Sequence, residues 1–272
     1  MDNLVEYYNK FNEDKRLLSR HGQVEYAVTR HYLDECLKTL SGDRETATNS
    51  DNSVISIADI GAGTGRYSLT LAKEGYTVTA VEYVQYNLGI LKKHMKEDGI
   101  SFDAYKGDAR HLKKLTDKAY DVTLLLGPMY HLHSDEDKVK ALKEAMRITK
   151  PGGYVLVAYV MADYAVVKYG FMEGHIGQSI SKGALGDDYK VLSDENELYD
   201  YVRIEDIDRI NKLSGATRDY IFAPDGAADY IRSYLNDMDD RNFELFIDYQ
   251  VKNAKRQELL GASSHLVDVI RV

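Results

Sequence analysis

One run constrains this 272-residue chain more than any other: Ile57-Ala58-Asp59-Ile60-Gly61-Ala62-Gly63-Thr64-Gly65-Arg66. Val54, Ile55, Ile57, Ala58 and Ile60 make a short apolar stretch that suits a strand buried on both faces. It ends in three glycines at alternate positions. Arg66–Glu74 then reads as a helix closed by Gly75. A strand that turns through glycines into a helix is the opening of a βαβ unit. The turn lets backbone approach a ligand closely and offers the helix's free N–H groups to it.

The same rhythm continues downstream. Residues 77–82 form a second strand and 84–98 a helix stopped at Gly99. A third strand spans 101–106. A very apolar fourth spans 120–126 and breaks at Gly127-Pro128. A helix over 136–149 ends at Lys150-Pro151-Gly152-Gly153, and a fifth strand spans 154–160. Strands alternating with helices predict a doubly wound α/β sheet. Residues 161–200 break the rhythm and read as an inserted cap. It resumes with helices near 203–213, 226–237 and 242–257 and strands near 217–223 and 265–272. Ahead of the sheet, 3–40 reads as two helices with a break at Gly22, and 41–53 as a solvated linker. The expected organisation is therefore 1–53 helices and linker, 54–160 ligand-binding core, 161–200 cap, and 201–272 the rest of the core.

The glycine turn differs from a dinucleotide loop. That loop has the spacing G-x-G-x-x-G, whereas here it is G-x-G-x-G, with Arg66 in place of the last glycine. Asp59 also stands two residues ahead of Gly61. A carboxylate there repels a pyrophosphate and attracts an ammonium. Glu82 ends the second strand, where a carboxylate can accept both hydroxyls of a ribose. Gly107-Asp108-Ala109 follows the third, where an Asp can accept from an adenine amino group. Each signal has an ordinary alternative as turn or strand-end chemistry; together, on consecutive strands, they are in register.

On these residues the chain resembles the class I S-adenosylmethionine-dependent methyltransferases. Ala58–Gly65 matches the family's first motif, Glu82 its ribose-binding acid and Asp108 its adenine-contacting Asp. The resemblance covers 54–160 well and 203–223 plus 265–272 less specifically. It implies a seven-stranded, mostly parallel sheet of order 3-2-1-4-5-7-6, with 265–272 as the antiparallel strand. It implies S-adenosylmethionine as cofactor and S-adenosylhomocysteine as product. The implied contacts are Asp59, Gly61, Ala62, Gly63, Thr64, Gly65, Glu82, Tyr83, Asp108, Ala109, Leu126 and Gly127. The pairing of Arg16-Leu17-Leu18-Ser19-Arg20 with Leu126-Gly127-Pro128-Met129-Tyr130-His131-Leu132 resembles a bacterial group with small or unassigned substrates.

The segment after the fourth strand faces the reactive methyl in that family, which nominates Tyr130, His131 and His133 as catalytic. Histidine titrates near neutrality and can take a proton from a hydroxyl or thiol. Gly127 stands where base-amino methylases carry an amide or acid, which argues against that chemistry. Cytosine-C5 chemistry needs a nucleophilic thiol there, and the only cysteine is Cys36. One thiol also excludes an intrachain disulfide and a multi-cysteine metal site. His131, His133, Asp135 and Asp137 alternate closely, but the acids suit a helix's first turn, capped by Ser134, and no metal is expected.

Tyrosine is abundant, at 22 residues against 6 Phe and no Trp. The bland reading is half-buried aromatics; the sharper one is an aromatic-lined acceptor pocket. Tyr8, Phe11, Tyr164 and Tyr169 are the candidates for its roof, and Arg20 for an anionic group. Acidic residues outnumber basic ones by 44 to 35, which argues against a nucleic-acid partner. No run has the length of a signal peptide core or membrane span, which points to the cytoplasm. The expected activity is methyl transfer to the O, N or S of a small molecule by a monomer or homodimer. Methylation of a protein or RNA, or an inactive cofactor-binding homologue, are the alternatives.

Overall fold

In the computed structural model, residues 2–10, 19–46, 54–193 and 195–272 are described. The strands are β1 (Ser56–Ile60), β2 (Thr77–Glu82), β3 (Asp103–Lys106), β4 (Tyr120–Leu125), β5 (Thr149–Met161), β6 (Tyr201–Val202), β7 (Thr217–Phe222) and β8 (His265–Arg271). They form one sheet of order β3-β2-β1-β4-β5-β8-β7, with β6 beside β5. β1 to β5 pair in parallel, and β8 runs antiparallel to both β5 and β7. Setting aside the two-residue β6, this is the expected seven-strand order.

Both faces of the sheet are covered, as parallel sheets require. Along a strand, consecutive side chains go to opposite sides. Ala58, Leu125 and Val155 pack on one face, with Ala141, Leu142 and Ala145 of helix α5 (Asp135–Ile148). Ile57, Leu124 and Leu156 pack on the other, with Val24, Val28, Leu33 and Leu37 of helix α2 (Arg20–Thr46). Each of these side chains is buried. At about 25 cal/mol per Å² of apolar surface removed from water, such double-sided burial dominates what holds the sheet.

Helix α1 (Asp2–Lys10) precedes α2, while α3 (Arg66–Lys73) and α4 (Gln85–Glu97) follow β1 and β2. Helix α6 (Ile204–Ser214) precedes β7, and α7 (Asp240–Asn253) lies between β7 and β8. Two expectations near the N-terminus are corrected. Gly22 does not break the helices: it sits buried in the first turn of α2, where its N–H bonds to Ser19 Oγ at 3.3 Å. The linker does not begin at 41, because α2 continues through Thr46. Side chain–backbone bonds from Thr39 to the Glu35 carbonyl and Ser41 to the Leu37 carbonyl accompany its last turns. Residues 161–200 hold short helical turns, including a π-turn over Val166–Met172, and one isolated bridge between Leu185 and Val191.

Candidate active site

A cleft of about 490 Å³ opens at the carboxyl ends of β1, β2, β3 and β4. The glycine turn forms its floor. Gly61, Gly63 and Gly65 have φ of 79°, 57° and 94°, values that glycine adopts at little cost. The Gly61 and Ala62 N–H groups both reach the Val81 carbonyl, at 2.7 and 3.1 Å, which ties the turn to β2. A Cβ on Gly61 would lie 2.7 Å from the Pro128 ring, so the two rims of the cleft meet there.

Four carboxylates line this cleft, Asp59, Glu82, Asp98 and Asp108. Glu82, 5% exposed, accepts the Gly63 N–H at 2.8 Å on one oxygen and the Val84 N–H at 2.7 Å on the other. Burial raises its pKa against the opposing pull of those N–H groups. Asp59 accepts the Ser68 hydroxyl at 2.5 Å, and burial pushes its carboxyl up to about 6. Asp108 is gripped by Arg110 through the guanidinium, with contacts of 2.7 to 3.2 Å, and through the backbone N–H at 2.9 Å. Burial works to raise the Asp108 pKa, but the Arg110 hydrogen bonds hold it below the usual carboxylate range. Arg110 also reaches Asp137 at 2.6 Å.

Pro128–His131 forms a 3₁₀ turn that carries Tyr130 and His131 to the cleft wall. His131 Nδ1 lies 2.9 Å from the Leu198 carbonyl, which only accepts, so Nδ1 carries the proton. Nε2 is then the acceptor and receives the Tyr8 hydroxyl at 3.1 Å. Burial pushes the imidazole pKa down to about 4, so the ring is neutral at physiological pH. Tyr199 stacks on it with centroids 5.3 Å apart. The strap around Leu198 is pinned: Asp200 N–H bonds to the Tyr130 carbonyl at 2.8 Å, and the buried Lys138 ammonium joins Asp200 to the Leu132 carbonyl.

The structure gathers Tyr8, Asp59, Gly61, Ala62, Gly63, Thr64, Glu82, Tyr83, Asp108, Ala109, Leu126, Gly127, Tyr130 and His131 around the one cleft. Gly65 lies behind it, where a Cβ would sit 2.9 Å from Leu91 Cγ. His133 lines a smaller neighbouring pocket of about 210 Å³ with Arg110, Asp137 and Glu197. Asp135 and Asp137 turn to Arg209 and Arg110 rather than toward the histidines.

Two residues expected in the roof, Tyr164 and Tyr169, and Arg20, expected at an anionic group, lie elsewhere. Arg20 pairs with Asp240 at 2.7 Å and covers the Phe243 ring. Tyr164 packs on Tyr230, and Tyr169 stacks on His175 at 4.3 Å. Phe11 lies outside the described residues. The roof that the structure does show is α1, through Leu4 and Tyr8. Tyr199 and the Leu198 carbonyl escaped the sequence reading because they sit in an acidic, aperiodic stretch. Pro128 stood in the segment read as facing the methyl group, but its close approach to Gly61 carried no signal in the sequence.

The donor set fits S-adenosylmethionine. Three acids around a glycine turn oppose a pyrophosphate but suit a cofactor carrying an ammonium, a sulfonium and a ribose diol. Residues 58–157 match the family described as a methyltransferase domain. A ubiquinone biosynthesis O-methyltransferase of Rickettsia conorii is 26% identical over 144 residues, which are 52% of this chain and 48% of that protein. The protein of that name from Rickettsia felis is 25% identical over 183 residues, 65% of this chain and 70% of its own length. The chain thus spans about half the length of the first of these relatives. A solved S-adenosylmethionine-dependent methyltransferase from Clostridium acetobutylicum superposes with a TM-score of 0.57 at 12% identity, covering 91% of each chain, which shows the shared fold.

Proposed function

We propose that this chain, whose residues 58–157 match a methyltransferase domain, is a class I S-adenosylmethionine-dependent methyltransferase that transfers a methyl group to a small-molecule acceptor. The observation that carries the reading is the convergence of Asp59, Glu82 and Asp108 on one cleft floored by the Gly61–Gly65 turn. Glu82 would hold the ribose hydroxyls, Asp108 the adenine edge, and Asp59 with the glycine turn the amino-acid end. When bound, the cofactor supplies an electrophilic methyl on a sulfonium, and the protein's work is to position, desolvate and align.

Tyr130, His131 and Tyr8 form the wall assigned to the acceptor. We assign His131 a holding role. Its Nε2 already accepts from Tyr8, and its low pKa makes it a weak base. It keeps Tyr8 and α1 over the cleft, and so keeps water away from the transfer. The relatives' names support an oxygen acceptor of small size. An excess of nine negative charges disfavours nucleic acid. Among the described residues, no helix is long and apolar enough to cross a membrane. One buried cysteine, Cys36, fits a reducing cytoplasm.

Incubation with radiolabelled S-adenosylmethionine and pooled metabolite fractions tests the reading. Label should move to a low-molecular-weight product. Label in protein or RNA instead would overturn the small-molecule assignment.

A further inference from the structure

A second cluster of chemistry-bearing side chains lies at the same end of the sheet, beyond Tyr130. His265 opens β8 opposite Val160, near the carboxyl end of β5. Asp225 stands in the turn after β7, and Glu25 comes from α2. Each offers one ligand atom, and those atoms all lie within 4.8 Å of one another. The His265 ring is 6.1 Å from the Tyr130 ring, centroid to centroid.

The turn that presents Asp225 is built rigidly. His265 donates its backbone N–H to Asp225 Oδ2 at 2.9 Å, and His265 Nδ1 lies 3.0 Å from the same oxygen. Gly226 has φ of 52° and gives its N–H to Ser263 Oγ at 3.1 Å. A Cβ on Gly226 would collide with the Gln250 amide at 1.8 Å. The Asp225 side chain is only 4% exposed. Four residues on, Asp229 is also buried; it pairs with Arg232 at 2.7 Å and lies 3.8 Å from His21.

We propose that Glu25, Asp225 and His265 form a binding site for a divalent first-row transition ion, of the manganese, iron, cobalt or zinc class. One imidazole nitrogen with two carboxylate oxygens is a mixed set. All-oxygen sets select calcium or magnesium, and thiolates select copper(I). Two carboxylates drawn together where one is buried repel each other, and a divalent cation between them reverses that repulsion. Three protein ligands leave coordination positions open to a small molecule. Methyl transfer needs none of these three residues, so the site stands whether or not the cleft performs it.

The test is calorimetric titration of the chelator-stripped full chain with Mn²⁺ and, separately, Zn²⁺, with Co²⁺ absorption as a second readout. One saturable site per chain is expected, with Co²⁺ bands distinct from those of the hydrated ion. Even a partner that only orients a ligand is typically worth about 10–100-fold in metal affinity, so replacing the ligand Glu25 by Gln should weaken binding by about tenfold or more. Glu25→Gln keeps the side chain's shape and leaves the Asp225–His265 contact intact; His265→Gln is the second variant, and both are checked for folding by circular dichroism. No saturable binding by the wild-type chain would overturn the proposal. So would unchanged affinity in Glu25→Gln, which would make His265–Asp225 a staple between β8 and its neighbouring turn. Should neither variant fold, the wild-type Co²⁺ spectrum decides: bands of the hydrated ion reject the site.

Discussion

The Tyr8 hydroxyl donates to His131 Nε2 across 3.1 Å, joining the N-terminal helix to the turn after β4, 123 positions away. His131 is fixed from behind by the Leu198 carbonyl, so the bond has a defined direction. It fastens α1 over the cleft. Tyr8→Phe leaves the Nε2 of a buried ring without this donor, at a cost of about 1–3 kcal/mol. Faster amide exchange over residues 2–10 and faster release of S-adenosylhomocysteine should follow. Exchange at the wild-type rate would show that α1 is held by other contacts.

His131 also makes stability depend on pH. Its folded pKa of about 4 lies below the unfolded value of 6.5, so the unfolded chain binds more protons between these limits. The native state therefore keeps this contribution above pH 6.5 and loses it as pH falls toward 4. The full difference is about 3 kcal/mol, at 1.36 kcal/mol per unit. Asp59, raised from 3.8 to about 6, acts oppositely, losing stability as pH rises through that range. Comparing wild type with His131→Asn by urea unfolding at pH 7 and pH 4 isolates the histidine. The gap between the two proteins should shrink at the lower pH; a constant gap would contradict the neutral buried imidazole.

The holding role separates from base catalysis in kinetics. A general base contributes about 10²–10⁴-fold to kcat and leaves its pKa in the rate profile. For His131→Asn we expect a raised KM, a smaller change in kcat and an unaltered acidic limb of the pH profile. A kcat loss in the base range, with that limb abolished, would restore His131 as the base.

Glu82 spends one oxygen on the Gly63 N–H and the other on the Val84 N–H. Glu82→Gln puts a donor against one of those donors. It should loosen the glycine turn and weaken S-adenosylhomocysteine binding by about 1–3 kcal/mol, the scale of a charge-assisted hydrogen bond. An unchanged dissociation constant by calorimetry would remove Glu82 from the cofactor site.

Gly61→Ala is a steric prediction. The new Cβ would lie 2.7 Å from Pro128 at a φ of 79°, so the turn or the Pro128 segment must move. A residue forced into such backbone costs on the order of 1–3 kcal/mol. Both the melting temperature and cofactor affinity should fall. Loss of neither would mean that the two rims of the cleft are not in contact.

The core strands were legible because period and chemistry agree there. Apolar runs such as 120–126 end in glycine or proline, and Asp59, Glu82 and Asp108 fall at successive strand ends. The acceptor side was less so. Tyr164 and Tyr169 are chemically apt for a pocket, yet their direction depends on the helical turns between 162 and 181, which carry no clear period. Arg20 resembled an anion binder, but its partner Asp240 lies 220 positions away. Glu25, Asp225 and His265 share no motif and meet only because β8 returns between β5 and β7.

The most direct test of the central claim is calorimetric titration of the full chain with S-adenosylmethionine and S-adenosylhomocysteine. We predict saturable binding of one molecule per chain for both, weakened in Glu82→Gln. Failure of the folded wild-type chain to bind either would contradict the account.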